Sequence, residues 1–366
     1  ITVESLNQKT CRSIMKVETV LPLGKLDPGL RETVEPLDLN GFFEGARQVE
    51  RIGYDRLTVT ETRFDPFVQL ALAAQATNHI EIASAVAIAF PRSPTVTAQA
   101  AWTLQKLSHG RLSLGLGTQV KGHIERRFGM NWAPPGPWLR EYIQAVRAVW
   151  HAYQTGEQPA HKGEHYSISL MVPLFDPGPL DKPDIPIVVA GVKAYMSRVA
   201  GEVGDGLRPH PICTPQYIDA VMRPAIEDGA ARGGRDAGEV EITVAPLVAT
   251  APTQALLADR IREVRARIAF YASTPSYRPA FDHHGYTELT IELAKLSKAQ
   301  RWNEMPDRIS DEMLHTYAVV GTYDEITTEL TSRYAGVVDA TEFSIPVLDQ
   351  DDEALLEEMV RRIKAA

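Results

Sequence analysis

Cysteine is nearly absent. The chain has two, Cys11 and Cys213, in 366 residues. That is too few for a disulfide framework, so a cytoplasmic setting is the expectation. Long apolar runs are missing too: no stretch reaches the roughly 18 to 20 residues of a membrane-spanning helix. Ile1 to Met15 lacks the charged-then-apolar order of a secretory signal. Residues 1–14 read as a disordered leader or expression remnant. Basic residues are outnumbered, 38 Lys and Arg against 47 Asp and Glu, for a net charge of −9. This balance argues against nucleic acid or an anionic membrane as the partner. No G-x-G-x-x-G follows the first strand candidate, and neither G-x-S-x-G nor a P-loop occurs. The first strand has no His-x-His, and His283-His284 are adjacent rather than spaced as ligands, so no metal site is expected.

What the chain does have is alternation. Leu112 to Leu116 reads as a short buried strand, ending in the loop Gly117-Thr118-Gln119. A helix with Ala98, Ala101, Trp102 and Leu107 precedes it and stops at Ser108-His109-Gly110. Similar units recur, with strands at Met15–Leu21, Arg56–Thr60, Ile80–Phe90, Ile185–Ala190, Leu207–His210, Ile242–Ala249 and Val338–Ile345. Residues 24–36 read as loop. Phe42, Ala46, Val49 and Ile52 mark one apolar helix face; Thr322-Tyr323-Asp324-Glu325 is a capping box. Pro224 is expected to kink or end the helix that begins near Pro215. Eight strands separated by helices in one domain, residues 15–366, favour a (β/α)8 TIM barrel over an open sheet. Residues 155–184, rich in proline and glycine, read as an insertion or lid over the C-terminal mouth. In such a barrel the chemistry sits at the C-terminal ends of the strands.

Several stretches carry a resemblance. Arg92-Ser93-Pro94, Ala98 to Leu104, Ser108-His109-Gly110-Arg111-Leu112 with Gly115-Leu116-Gly117, and Ala200-Gly201-Glu202-Val203-Gly204-Asp205-Gly206 together resemble the luciferase-like monooxygenase superfamily. Gln119, His123 to Met130 and Phe270 to Tyr277 resemble its actinobacterial branch of coenzyme F420-dependent oxidoreductases. The resemblance spans residues 15–350. It implies F420 or FMN held at the barrel mouth and hydride transfer to or from a small organic substrate. The alternatives are an FMN-dependent two-component monooxygenase fed by a partner reductase, and a non-catalytic flavin-binding barrel. It also implies a homodimer or higher homo-oligomer, and a non-proline cis peptide near Ser84-Ala85.

The resemblance also implies which residues bind the cofactor. Ser84 and Ala85 are small and would lie against the ring, as would Gly117 and Thr118; Gln119 can bond its polar atoms. Ala190-Gly191-Val192-Lys193 precedes a helix and offers N–H groups to a phosphate, with His210 beside it. Many family members follow the second strand's carboxylate with histidine. Here Thr62 stands instead, leaving Glu61 and His123 as the catalytic candidates. Lys121, Arg126 and Arg127 can meet the anionic tail of F420, and Phe128, Trp132, Trp138, Tyr166 and Phe175 can line an apolar substrate pocket.

Overall fold

The structure, a computed structural model, describes residues 15–24 and 38–366. The leader assigned to residues 1–14, and all but Gly24 of the loop assigned to 24–36, lie outside the described residues. The first elements are β1 (Lys16–Val20), α1 (Phe42–Ile52), β2 (Arg56–Val59), α2 (Pro66–Ala76), β3 (Glu81–Ser84) and a short β4 (Ala87–Ile88). Phe42, Ala46, Val49 and Ile52 are buried on α1. Asp65 caps α2 by accepting from the N–H groups of Phe67 and Val68, with Pro66 in the first turn. Next come α3 (Pro94–Leu107), β5 (Leu112–Gly117), α4 (Lys121–Arg126) and α5 (Pro135–Thr155). The hairpin β6 (His161–Lys162) and β7 (Ser167–Ile168) follows, then β8 (Ile187–Gly191), α6 (Ala194–Val203) and β9 (Gly206–Pro209).

The helix from Pro215 does not break at Pro224. α7 (Pro215–Tyr217) widens into a π-helical turn over Ile218–Met222 and continues as α8 (Arg223–Gly233). The wide turn sits directly before the residue that has no N–H to give. The seventh barrel strand is β10 (Glu241–Val244). Beyond Ala245-Pro246 the chain resumes as β11 (Leu247–Ala251), outside the barrel. α9 (Gln254–Ala272), α10 (Arg278–Asp282), α11 (Thr287–Lys298) and α12 (Asp311–Tyr317) lead to β12 (Ala318–Thr322), which pairs in parallel with β11. The chain closes with α13 (Ile326–Tyr334), β13 (Ala340–Glu342) and α14 (Gln350–Lys364).

Eight parallel strands close in the order β1, β2, β3, β5, β8, β9, β10, β13 and back to β1. The fold is a (β/α)8 barrel, as the alternation predicts. The outward strand residues, Val17, Leu57, Ile82, Leu114, Val189, Leu207 and Ile242 among them, are buried under the helices. Residues 155–184 run along the outer helices. The Trp102 indole N–H donates to the Gly178 carbonyl at 3.0 Å, Gln105 to Lys182 at 2.9 Å, and Gln154 to Leu180 at 3.2 Å. Among the described residues no helix is long and apolar enough to cross a membrane.

Candidate active site

The inside of the barrel is charged. Alternation along the strands turns Glu18 of β1, Arg56 of β2, Arg208 of β9, Glu241 of β10 and Glu342 of β13 inward. Non-neighbouring strands prove it by meeting across the lumen: Arg56 reaches Glu241 at 2.8 Å, Lys16 reaches Glu241 at 2.9 Å, and Arg208 binds Glu18. Arg208 also donates to Glu342 at 2.6 Å, and Arg56 to Glu18 at 3.1 Å. Burial pushes the Glu342 carboxyl up and the attraction of Arg208 only partly offsets it. Burial also acts upward on Glu241, but Arg56 and Lys16 outweigh it and hold that carboxyl at about 2.

Above this floor the C-terminal strand ends enclose a cavity of about 1560 Å³. Its β3–β5 wall is flat and built from small residues. The Ser84 hydroxyl donates to the Gly115 carbonyl at 2.8 Å, locking the strands together just below the cavity. A Cβ on Gly115 would stand 1.9 Å from the Ser84 carbonyl oxygen, and one on Gly117 would stand 2.5 Å from Val86 Cγ2. Only glycine allows this approach. Ala85 and Val86, joined by a cis peptide bond, line the wall together with Gly117, Thr118 and Gln119.

The next wall is the turn from β8 into α6. Ala190, Gly191, Val192 and Lys193 line the cavity where β8 turns into α6. No side chain caps α6, whose first turn lies at the cavity through Lys193 and Tyr195. Uncapped N–H groups and the helix dipole favour a phosphate there. The His210 N–H donates to the Gly191 carbonyl at 3.0 Å and fastens the turn to β9. The His210 ring lies edge to Tyr271 at 4.6 Å and tilted against Tyr277 at 4.3 Å. Burial lowers its pKa to about 3, so the imidazole is neutral. Ile212 N–H donates to its Nδ1 at 3.4 Å, which leaves the proton on Nε2.

The expected site residues divide. Ala85, Gly117, Thr118, Gln119, Ala190 to Lys193 and His210 line one cavity; Ser84 lies beneath it. Neither Glu61 nor His123 lines it. Glu61 accepts from Arg92 at 2.8 and 3.0 Å and from the Ile88 N–H at 2.7 Å, so its carboxylate is spent on bracing the β3–β4 segment. His123 is exposed on α4. Thr62 lines the cavity. None of residues 155–184 does, because the insertion is bonded to α3 and α5 instead. Of the aromatic candidates Trp132 lines the cavity, beneath the Lys121 ammonium at 5.3 Å; Trp138 stacks on Phe90 at 3.7 Å and donates to the Tyr166 hydroxyl. Phe175 is exposed, and Phe128 lies against Arg127 at 4.8 Å. Lys121 is the member of the basic trio that lines the cavity; Arg127 donates to the Thr62 carbonyl. Sequence reasoning gave Arg208 no role beyond its place in the candidate strand end Leu207 to Cys213, and it missed Glu342 and the α9 wall, which carries Arg260, Glu263, Arg267 and Tyr271. A period of two from His210 back to Arg208 was the available signal for the first.

Comparison with known proteins agrees with this geometry. The profile of the luciferase-like monooxygenase family matches residues 19–340. The chain belongs to the luciferase-like monooxygenase family. An uncharacterized protein of Mycobacterium tuberculosis is 42% identical over 304 residues, 83% of this chain and 89% of its own length. A putative coenzyme F420-dependent oxidoreductase of the same organism is 28% identical over 76% of this chain and 82% of its own. The structure of the coenzyme F420-dependent tetrahydromethanopterin reductase of Methanopyrus kandleri superposes with a TM-score of 0.71 at 17% identity, covering 96% of this chain and 98% of that one. Membership places the chain among the luciferase-like oxidoreductases and monooxygenases. Among the described residues, no group of three or more His, Cys, Asp or Glu side chains is placed to hold a metal ion. His284 is engaged with the Thr214 hydroxyl at 2.8 Å.

Proposed function

We propose that this protein is an F420-dependent oxidoreductase that transfers a hydride between the deazaflavin and a small organic substrate. The observation that carries the reading is the union of two features in one cavity: a flat wall of small residues on β3 and β5, and an uncapped helix start at Lys193 on the neighbouring β8. A tricyclic ring fits the first and a phosphate the second. The putative F420-dependent relative supports the choice of carrier.

The bound cofactor supplies hydride exchange at a ring carbon; the protein supplies placement. Ala85, Val86 and Gly117 support one ring face, leaving the opposite face to the substrate. Gly191, Val192 and Lys193 hold the phosphate. His210, neutral with its proton on Nε2, donates a hydrogen bond without adding charge. Glu342 is the carboxyl that the barrel floor presents to the cavity, and proton transfer is assigned to it in place of Glu61 and His123. Titration of the purified protein with F420 and FMN tests the assignment: tight F420 binding supports it, and binding of FMN alone removes it.

A further inference from the structure

The cavity does not end at the barrel. It continues past β10 along β11 and one face of α9, where Leu256, Arg260, Glu263, Arg267 and Tyr271 line it. These positions recur at helical spacing over fifteen residues, roughly 22 Å of helix. β10 stands four strands from β3 in either direction around the barrel, so this wall faces the flat β3–β5 wall across the cavity. A molecule stacked on the ring proposed above would meet it.

Asp259 lines the cavity with them, so two acids and two arginines stand on this wall, and their pairing leaves one arginine over. Glu263 stands one turn from Arg267 but binds Arg260 at 2.9 Å instead. Asp259 binds Arg262 at 3.0 Å. Among the described residues Arg267 has no hydrogen-bonding or ion-pairing partner, and it is half-buried. Two hydroxyl oxygens of the same cavity, Thr250 Oγ1 and Ser276 Oγ, are buried with no partner among the described residues. One turn beyond Arg267, Tyr271 meets the His210 ring at 4.6 Å and the Tyr277 ring at 5.8 Å, and Tyr277 meets His210 at 4.3 Å, a cluster of three rings. A guanidinium with its fork free, in a cavity that also holds unsatisfied hydroxyls and, one turn along the helix, a group of rings, matches a carboxylate attached to an apolar body.

We infer that Arg267 is the specificity residue for the substrate, and that the substrate is an organic anion whose carboxylate it binds. This rests on the cofactor reading only for naming the anion as the substrate's.

Calorimetry with benzoate and its neutral isostere benzamide tests it on the whole protein. Wild type is expected to prefer benzoate by tenfold or more, Arg267→Gln to lose that preference, and Arg267→Lys to keep part of it. An unchanged preference in Arg267→Gln, or none in wild type, overturns the proposal. F420 and the tail-less deazaflavin nucleoside separate the sources of anion. If Arg267→Gln weakens F420 but not the nucleoside, the anion is the cofactor's tail and the substrate assignment falls. Equal binding of both cofactor forms by wild type and variant supports it. If neither F420 nor FMN binds while the benzoate preference holds, the cofactor reading fails and the Arg267 site remains.

Discussion

The Arg208 guanidinium donates to the Glu342 carboxylate at 2.6 Å, on the floor of the cavity and in the middle of the barrel. The same guanidinium binds Glu18 on the strand beside Glu342. One cation therefore holds two buried acids at the point where the fold becomes the site.

Removing that cation should be severe. Arg208→Met strips Glu342 of its cation and leaves Glu18 with Arg56 alone, and breaking a buried ion pair from one side costs about 3–5 kcal/mol. Urea unfolding at pH 7 measures it. A loss below about 1 kcal/mol would show that the lumen is better hydrated than the geometry implies.

Lower in the lumen, Glu241 gives a pH signature. Its carboxyl is held at about 2, below the ordinary value of 4.5, so the folded protein releases this proton more readily than the unfolded chain. The stability it contributes is complete above about pH 5 and is lost as pH falls toward 2. Glu241→Gln should cost about 2–3 kcal/mol at pH 7 by this linkage and much less at pH 2. Denaturant melts at the two pH values check the sign; an equal cost at both contradicts it.

His210 titrates in the same sense from a different cause. Burial depresses its pKa to about 3, so the unfolded chain binds the extra proton first, below its ordinary value of 6.5. Wild type should therefore lose about 2 kcal/mol from this residue between pH 7 and pH 5, and His210→Asn should lose correspondingly less. The His210 ring resonances should not move between pH 5 and 8. A titration midpoint near 6.5 would place the ring in water.

Gly115 tests the β3–β5 wall. A Cβ there meets the Ser84 carbonyl oxygen at 1.9 Å, a backbone atom that cannot turn aside. Gly115→Ala is expected to cost about 3 kcal/mol or more, read by thermal unfolding. A neutral result would mean that the strands can separate.

Much of this was open to a reader of the sequence because it depends on local period. Strand and helix alternation gave the barrel, and the structure adds side-chain caps from Asp65 and Ser93 where helices begin at Pro66 and Pro94. β12 was hidden: Ala318 to Thr322 is short, and its strand character comes from pairing with β11, some seventy residues earlier. Arg208, Glu342 and Arg267 stayed hidden for a related reason. A charged residue in a strand or helix reads as solvated until the tertiary fold shows what it faces. Glu61 shows the converse. It sits at the expected strand end, but Arg92, thirty-one residues on, turns its carboxylate away from the cavity.

The most direct test of the cofactor site is a pair of affinities measured on wild type and Lys193→Glu: F420, and its nucleoside without phosphate or tail. The account predicts tight F420 binding by wild type and a loss of tenfold or more in the variant, with the nucleoside bound equally by both. Failure of wild type to bind F420, or equal F420 affinity in the two proteins, would contradict the placement of the phosphate at the start of α6.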